Sequence, residues 1–232
     1  VGLGLSIVER IGRILGALNH PNIAHLLEAG QGQDGVPYLA MEFVDGETID
    51  RWCQARSLVL RDRIALFIKV CAAVEYAHSN LVIHRDLKPV NILIGASGEP
   101  KLLDFGIAKL LDADAGKTRA ATATRAMTLA YASPEQIEGK PASMRSDMYS
   151  LGIVLYKMLA GRLPFDLTLS PAALSARIIL GNLPAPGEAM PDLPPLFDVV
   201  FARATARDPE LRYPSWEDFA ADLRTIALVE PD

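Results

Sequence analysis

The sequence predicts an α+β fold, with a few strands near the start of the chain and mainly helix after them. Three observations support this: a helical pattern of apolar residues at 7–18, two short apolar runs at 23–28 and 38–44, and long helical patterns from residue 61 onward. The chain has 232 residues, of which 50% are hydrophobic, so a sizeable buried core is expected.

Charge and cysteine content exclude several classes of protein. A formal net charge of −5 argues against a nucleic-acid or anionic-membrane partner. Cys53 and Cys71 lie in helical patterns without a CxxC pair or a neighbouring histidine cluster, which argues against a disulfide framework or a zinc site. No apolar run approaches the ~18 to 20 residues that span a bilayer. We therefore expect a cytoplasmic segment without membrane contact.

The first helix is predicted from apolar side chains at helical spacing, and Pro21 limits its end. These side chains are Ile7, Ile11, Ile14, Leu15 and Leu18. The two apolar runs that follow flank the turn-rich stretch GQGQDGVP, so they are predicted to be antiparallel strands.

A largely buried helix is predicted at 61–79, where five apolar residues share one stripe: Ile64, Phe67, Ile68, Cys71 and Val74. A hairpin should follow, with NILI and PKLL as strands around GASGE.

Three further helices are predicted in the second half of the chain. Residues 147–160 are apolar on nearly every face and stop at Gly161, which predicts a central buried helix. Ser170 and Gly181 frame a second helix, and Ser215 with Asp218 starts the last one. Residues 111–127 predict a long surface loop, either functional or simply disordered.

The chemistry is concentrated in HRDLKPVN at 84–91 and DFG at 104–106. The first matches the catalytic loop H-R-D-L-x-x-x-N of protein kinases, and the second follows it across the predicted hairpin. The sequence resembles the eukaryotic-type (Hanks-type) serine/threonine protein kinases of bacteria over residues 12–226. The hairpin returns the chain to its starting level, so Asn91 and Asp104 can approach one metal cluster, and their oxygens suit Mg²⁺.

The resemblance implies a protein-kinase-like fold and a role for each motif residue. Residues 1–43 would form part of the small β lobe, with its helix C and following strands, and 44–228 the large helical lobe. Asp86 would orient the substrate hydroxyl and accept its proton, while Lys88 would neutralise charge on the γ-phosphoryl group of ATP. Asn91 and Asp104 would hold Mg²⁺.

The stretch YLAMEFVDGE is similar to the strand and hinge of a kinase adenine pocket. The resemblance implies that Met41 lies behind the adenine, and that Glu42 and Val44 offer backbone groups to it. Glu47 would lie near the ribose, and Leu93 would form the apolar floor. Glu47 and Asp50 also hint at basic substrates.

Residues 128–135 are similar to the end of a kinase activation segment, with Ser133 as a neutral replacement of the usual Ala. The same resemblance implies that Glu135 pairs with Arg212 and that Asp147 accepts backbone donors beneath the catalytic loop. His84 and Phe105 should pack together. The remaining histidines are expected to be structural: His20, His25 and His78.

Arg85 precedes the catalytic Asp, and kinases of this type order their loop when such an Arg meets a phosphorylated residue. Thr118, Thr122 and Thr124 are the candidate sites, and at least one should be autophosphorylated in a competent full-length parent.

The start of the chain departs from the kinase pattern. The first lysine is Lys69, so none can serve as the phosphate-holding strand lysine, and VGLGLS is too close to the first helix to be the glycine-rich loop. The family's helix Glu should fall at Ile11, while Glu9 lies on another face. Residues 1–10 are expected to match nothing in the family.

Two explanations stay open. The sequence is a piece of an ordinary kinase, or the natural chain lacks the glycine-rich loop and the strand lysine that hold the phosphates of ATP. In either case the isolated polypeptide should transfer phosphate poorly. The expected function is therefore a serine/threonine kinase acting on protein substrates, with a kinase dimer as a candidate assembly. The alternative is a pseudokinase-like interaction module.

Overall fold

The computed structural model describes residues 2–33, 36–106 and 129–229. The elements in these ranges are, in chain order, α1 (Gly2–Gly16), β1 (Leu26–Gln31), β2 (Pro37–Met41), β3 (Gly46–Thr48), α2 (Ile49–Ala55), α3 (Leu60–Ser79), β4 (Ile92–Gly95), β5 (Pro100–Leu102), α4 (Pro134–Ile137), α5 (Met144–Ala160), α6 (Pro171–Leu180), α7 (Pro186–Ala189), α8 (Leu196–Ala204) and α9 (Trp216–Val229). The predicted α+β class is confirmed, with strands early and helices late. The predicted boundary between the small lobe and the large lobe, between residues 43 and 44, stays a prediction.

Helix α1 packs one face on the core. Leu15 and Leu18 are buried, and Ile11 packs against the same cluster. Ile14 was placed on this stripe by the sequence, but it is 45% exposed because it lies roughly 60° from Ile11 around the helix axis. The side chain of Ile7 lies outside the described residues.

The first two strands pair antiparallel as predicted, but their limits differ. β1 starts at Leu26 rather than residue 23 and extends into the predicted turn. The late start of β1 has a simple cause, since residues 22–24 bond to β5 instead of β2. The Ala24 N–H donates to the Leu102 carbonyl oxygen, and the Leu102 N–H donates to the Asn22 carbonyl oxygen.

A second sheet has the order β3-β4-β5. The β4–β5 hairpin is the predicted one, with Ile92 opposite Leu102. Strand β3 was not predicted. It pairs with β4, placing Glu47 opposite Ile94, and leads directly into α2.

Helices α3 and α5 lie at the centre of the larger, helical part. The predicted stripe of α3 is confirmed, since Ile64, Phe67, Cys71 and Val74 are buried. α5 is buried on nearly all sides, as its sequence predicts. Both cysteines are free and buried.

The predicted helix ends are also confirmed. α5 stops at Gly161 and α6 at Gly181, with φ of 66° and 74°, the left-handed conformation that favours glycine. The Ser170 hydroxyl caps α6, and Ser215 accepts a hydrogen bond from the Asp218 N–H at 3.0 Å to start α9. Within the described ranges, no helix is both long and apolar enough to cross a membrane.

Residues 107–128 lie outside the described part of the chain. The predicted loop at 111–127 and the three candidate phosphorylation sites, Thr118, Thr122 and Thr124, fall in this segment.

A buried ion pair joins α4 to the segment before α9. Arg212 binds Glu135 through two nitrogen–oxygen contacts of 2.7 and 2.9 Å, which confirms the pair predicted from the sequence. Arg212 also donates to the carbonyl oxygens of Ala206 and Arg145, and Ser146 donates to Glu135. Nearly every polar atom of the pair is therefore satisfied, which a buried charge requires.

Replacing Arg212 by Ala should lower the free energy of unfolding by about 3–5 kcal/mol, because Glu135 would remain as an unpaired buried charge. The measurement is urea unfolding at pH 7. The matched control is Arg224→Ala, which removes an ion pair with Glu217 in which the two side chains are 50% and 68% exposed. That control should cost less than about 1 kcal/mol. Equal losses in the two variants would contradict this account.

The same pair predicts how stability depends on pH. Burial alone would raise the pKa of Glu135, but hydrogen bonds from Arg212 and Ser146 and the charge of Arg212 outweigh it and lower that pKa from 4.5 to about 2. Because the pKa is depressed in the folded state, the stabilisation is fully present above pH 4.5 and is lost as the pH falls toward 2.

Between pH 5 and 3, the wild type should therefore lose stability more steeply than Glu135→Gln, by up to about 1.4 kcal/mol per pH unit. Urea unfolding at several pH values in this window measures both slopes. Parallel slopes would show that Glu135 has an ordinary pKa in the folded protein.

Candidate active site

The loop after α3 brings three of the predicted site residues together. The Lys88 Nζ atom lies 2.7 Å from Asp86 Oδ2. Asn91 donates from Nδ2 to the Asp86 carbonyl oxygen at 2.8 Å, and the same nitrogen lies 3.4 Å from Asp86 Oδ2. A 3₁₀ turn over Pro89–Asn91 makes these contacts possible, because it folds the chain back onto Asp86.

The orientation of Asn91 follows from these bonds. Since Nδ2 points at Asp86, the Oδ1 atom faces away, and it accepts no hydrogen bond from any described residue. An amide oxygen held in this way is a suitable ligand for Mg²⁺.

The hairpin places Asp104 beside Asn91. The Leu103 N–H donates to the Asn91 carbonyl at 2.8 Å, so the residue after Leu103 emerges next to the loop. The Asp104 carboxylate is exposed and forms no ion pair with any described residue. Its backbone has φ of 44°, a conformation that costs energy for a residue with a side chain and that concentrates at functional sites.

The described residues contain no group of three or more His, Cys, Asp or Glu arranged for a metal. Mg²⁺ commonly binds one or two protein oxygen ligands together with phosphates and water, a number that Asn91 and Asp104 could supply.

The loop is fixed from below by Asp147 of α5. One carboxylate oxygen accepts the His84 N–H and the other accepts the Arg85 N–H, both at 2.8 Å. Asp147 is 1% exposed, so these are buried, charge-assisted bonds. The predicted role of Asp147 as an acceptor for the loop backbone is confirmed.

His84 and Phe105 pack together as expected, with ring centroids 4.7 Å apart. His84 Nε2 contacts the Leu103 carbonyl oxygen at 2.8 Å, and because a carbonyl only accepts, the proton is on Nε2. Burial lowers the pKa of His84, outweighing the opposite effect of nearby Asp147. A neutral His84 therefore ties the loop to the end of the hairpin.

The predicted hinge begins at Met41, the half-buried last residue of β2. The Glu42 N–H donates to the His25 carbonyl oxygen at 2.8 Å. The Glu42 carboxylate accepts from the His25 N–H and from Lys101 of β5, and these bonds lower its pKa. Lys101 thus connects the hinge to the hairpin that carries Leu93.

Of the other predicted nucleotide residues, Glu47 lies on β3 and Leu93 on β4, whereas Val44 lies in the segment between β2 and β3. Val44 and Leu93 are half-buried, and Leu93 lies opposite Thr48. The Glu47 carboxylate forms an ion pair with Arg56 at 3.2 Å rather than a hydrogen bond with Val44 or Leu93. Asp50 pairs with Lys157 at 2.8 Å, so the two acids that hinted at basic substrates are both neutralised within the chain.

The structure gives Ser133, the N-cap of α4, and Gln136 within α4 roles that the sequence did not predict. Ser133 caps α4 in a reciprocal capping box with Gln136, so it is more than a neutral replacement. Gln136 also donates from Nε2 to the Arg85 carbonyl at 3.0 Å, which ties α4 to the catalytic loop. The pattern S-x-x-Q ahead of an apolar residue was the available signal for the cap.

The fold and the geometry of the loop at 84–91 are those of a protein-kinase-like domain. A family model described as the protein kinase domain matches residues 8–179, so the chain belongs to the protein kinase family. That match includes Val8–Arg10, and the expectation that residues 1–10 match nothing in the family is therefore wrong for these three positions.

Several bacterial serine/threonine-protein kinases are similar to this chain. PrkC of Bacillus subtilis is 36% identical over 210 residues, covering 90% of this chain and 32% of that protein. PknB of Mycobacterium tuberculosis is 36% identical over 219 residues, covering 93% and 35%. PknB of Mycolicibacterium smegmatis is 37% identical over 211 residues, covering 89% and 33%. The chain spans about one third of the length of these curated relatives.

The close contact between Gly106 and the loop gives a stability prediction. A Cβ atom at Gly106 would lie 2.7 Å from the His84 carbonyl oxygen, and φ there is +39°. Gly106→Ala should therefore both destabilise the protein and shift the backbone NMR signals of His84 and Arg85.

Gly98→Ala is the matched control, because Gly98 has φ of +77° but nothing within 4 Å of its Cβ position. It should show only the ~1–2 kcal/mol cost of the left-handed conformation, without shifts in the loop. Loop shifts of the same size in both variants would contradict the proposed contact.

Proposed function

We propose that this chain carries the phosphoryl-transfer centre of a serine/threonine protein kinase, which uses ATP and Mg²⁺ and acts on protein substrates in the cytoplasm. The observation that carries the proposal is the Asp86 carboxylate, which has Lys88 at 2.7 Å and the Asn91 amide at 3.4 Å. A carboxylate, a cation and an amide oxygen at one loop are the groups that this transfer requires.

Asp86 is the group that orients the substrate hydroxyl and accepts its proton. Lys88 is placed to shift from Asp86 toward the phosphoryl oxygens and to neutralise their charge.

Asn91 Oδ1 and the Asp104 carboxylate are the proposed Mg²⁺ ligands. The metal, when bound, would neutralise charge on the phosphates of ATP. Met41, Glu42, Val44, Glu47 and Leu93 are the proposed adenosine contacts. The backbone group that Glu42 would offer is its carbonyl oxygen, because the Glu42 N–H is already bonded to the His25 carbonyl.

An interaction module is the second candidate function if the natural chain also lacks the strand lysine, since no lysine precedes Lys69 within these 232 residues. Lys69 itself pairs with Glu99 at 2.7 Å and lies on α3, so it does not replace the strand lysine. For this reason we propose that the 232 residues alone transfer phosphate slowly, below the ~1–100 per second typical of kinases. A kinase dimer and autophosphorylation of the segment at 107–128 belong to the same proposal.

The function is tested with Asp86→Asn in the longest natural chain that contains these residues. The variant should lower kcat for phosphate transfer from Mg-ATP to a serine- or threonine-containing protein by about 10²- to 10⁴-fold, because the proton acceptor is lost. KM for ATP should stay unchanged, since Asp86 is not proposed to bind the nucleotide.

Asp62→Asn, an exposed substitution in the first turn of α3, is the matched control and should leave kcat unchanged. A natural chain with no transferase activity, or equal rates for the wild type and Asp86→Asn, would favour the interaction module.

A further inference from the structure

Trp216 and His78 form a hydrogen bond between residues 138 positions apart. The indole Nε1 lies 2.9 Å from His78 Nδ1, and the two ring centroids are 5.5 Å apart. Trp216 is the first residue of α9 and is 6% exposed, while His78 lies near the end of α3 with its side chain 3% exposed. The sequence predicted a structural role for His78 and no role for Trp216.

This bond fixes the proton on His78. An indole N–H can only donate, so His78 Nδ1 must accept and carries no proton. The ring proton is therefore on Nε2, which lies 2.8 Å from Asp147 Oδ2. The opposite tautomer would turn an N–H toward the indole N–H and a lone pair toward the carboxylate, so both contacts would become repulsive.

The chain of hydrogen bonds continues to the catalytic loop. Asp147 Oδ2, the oxygen that accepts from His78, also accepts the His84 N–H, and Oδ1 accepts the Arg85 N–H. Asp86 follows directly. Every donor and acceptor in this path is buried or nearly so, and water therefore does not substitute readily for a lost partner.

The local fold explains why Trp216 is held in place. Ser215 caps α9, accepting from the Asp218 N–H and donating to the Asp218 carboxylate at 2.6 Å. One turn into the helix, Phe219 packs edge-on against Phe67 of α3, with ring centroids 5.9 Å apart. The cap and this ring contact dock the start of α9 on α3, where His78 lies.

We propose that Trp216 is a positioning residue: its indole N–H selects the Nε2-protonated tautomer of His78, and His78 then orients Asp147 beneath the catalytic loop. The last helix of the chain thereby helps to hold Asp86. The consequence for catalysis rests on the proposed kinase function, whereas the hydrogen-bond path itself does not.

The tautomer is tested first on the unmodified 232-residue chain, by ¹⁵N NMR of the His78 ring. The expected signature is a protonated Nε2 and an unprotonated Nδ1. A ring protonated at Nδ1, alone or together with Nε2, would overturn the proposal without any variant being made.

Trp216→Phe keeps an aromatic ring but removes the donor. In this variant His78 should lose its single tautomer, and the His84 and Arg85 amides should exchange hydrogen about five- to tenfold faster, the effect of weakening one buried hydrogen bond. The exchange is measured relative to the Leu151 and Ile153 amides of α5, which correct for a change in global stability.

Tyr213→Phe is the matched control. Tyr213 is fully buried, contacts the same Phe219 ring, and donates from its hydroxyl to Asp222 at 2.7 Å, with no bond toward the loop. It should leave the His78 tautomer and the relative loop exchange unchanged. Equal acceleration in both variants, or none in Trp216→Phe, would overturn the proposal. A failure of the kinase function would leave these exchange rates unaffected, so the two outcomes are distinguishable.

Discussion

The carboxylate of Asp147 is the contact on which the site depends. It lies on the central helix, more than 60 residues along the chain from the loop, and accepts two successive backbone N–H groups of that loop. Arg85, which carries the second of these N–H groups, has φ of 68°, a conformation that is unfavourable without such support. A buried, ionised acceptor therefore holds strained backbone in the geometry that directs Asp86 toward Lys88 and Asn91.

Other elements hold the same loop from different sides. Gln136 of α4 donates to the Arg85 carbonyl, and His84 reaches the end of the hairpin at Leu103. The buried pair of Glu135 with Arg212 fixes α4 against the segment before α9. The rigidity of the site thus comes from elements that are remote in sequence, which is what precise orientation of reacting groups requires.

The sequence was sufficient where the signal is local or where motif residues are closely spaced. An apolar stripe predicted α3, a stretch apolar on nearly every face and ending at Gly161 predicted α5, and turn residues predicted the β4–β5 hairpin. It failed where distant partners decide. β1 begins late because residues 22–24 bond to β5, and the three-residue β3 forms only because β4 is available to it. The bond from Trp216 to His78 has no sequence signature, since nothing in either neighbourhood indicates the other.

If the proposed kinase function is correct, Asp147 holds the loop that carries out phosphate transfer, and Asp147→Asn measures how far the rate depends on this contact. Asparagine preserves the size of the side chain but turns one acceptor oxygen into a donor facing backbone N–H groups. The measurement is the initial rate of transfer from Mg-ATP to a protein substrate by the longest natural chain containing these residues. The rate should fall about 100-fold with KM for ATP unchanged, because Asp86 would be misplaced. A rate equal to that of the wild type would contradict it.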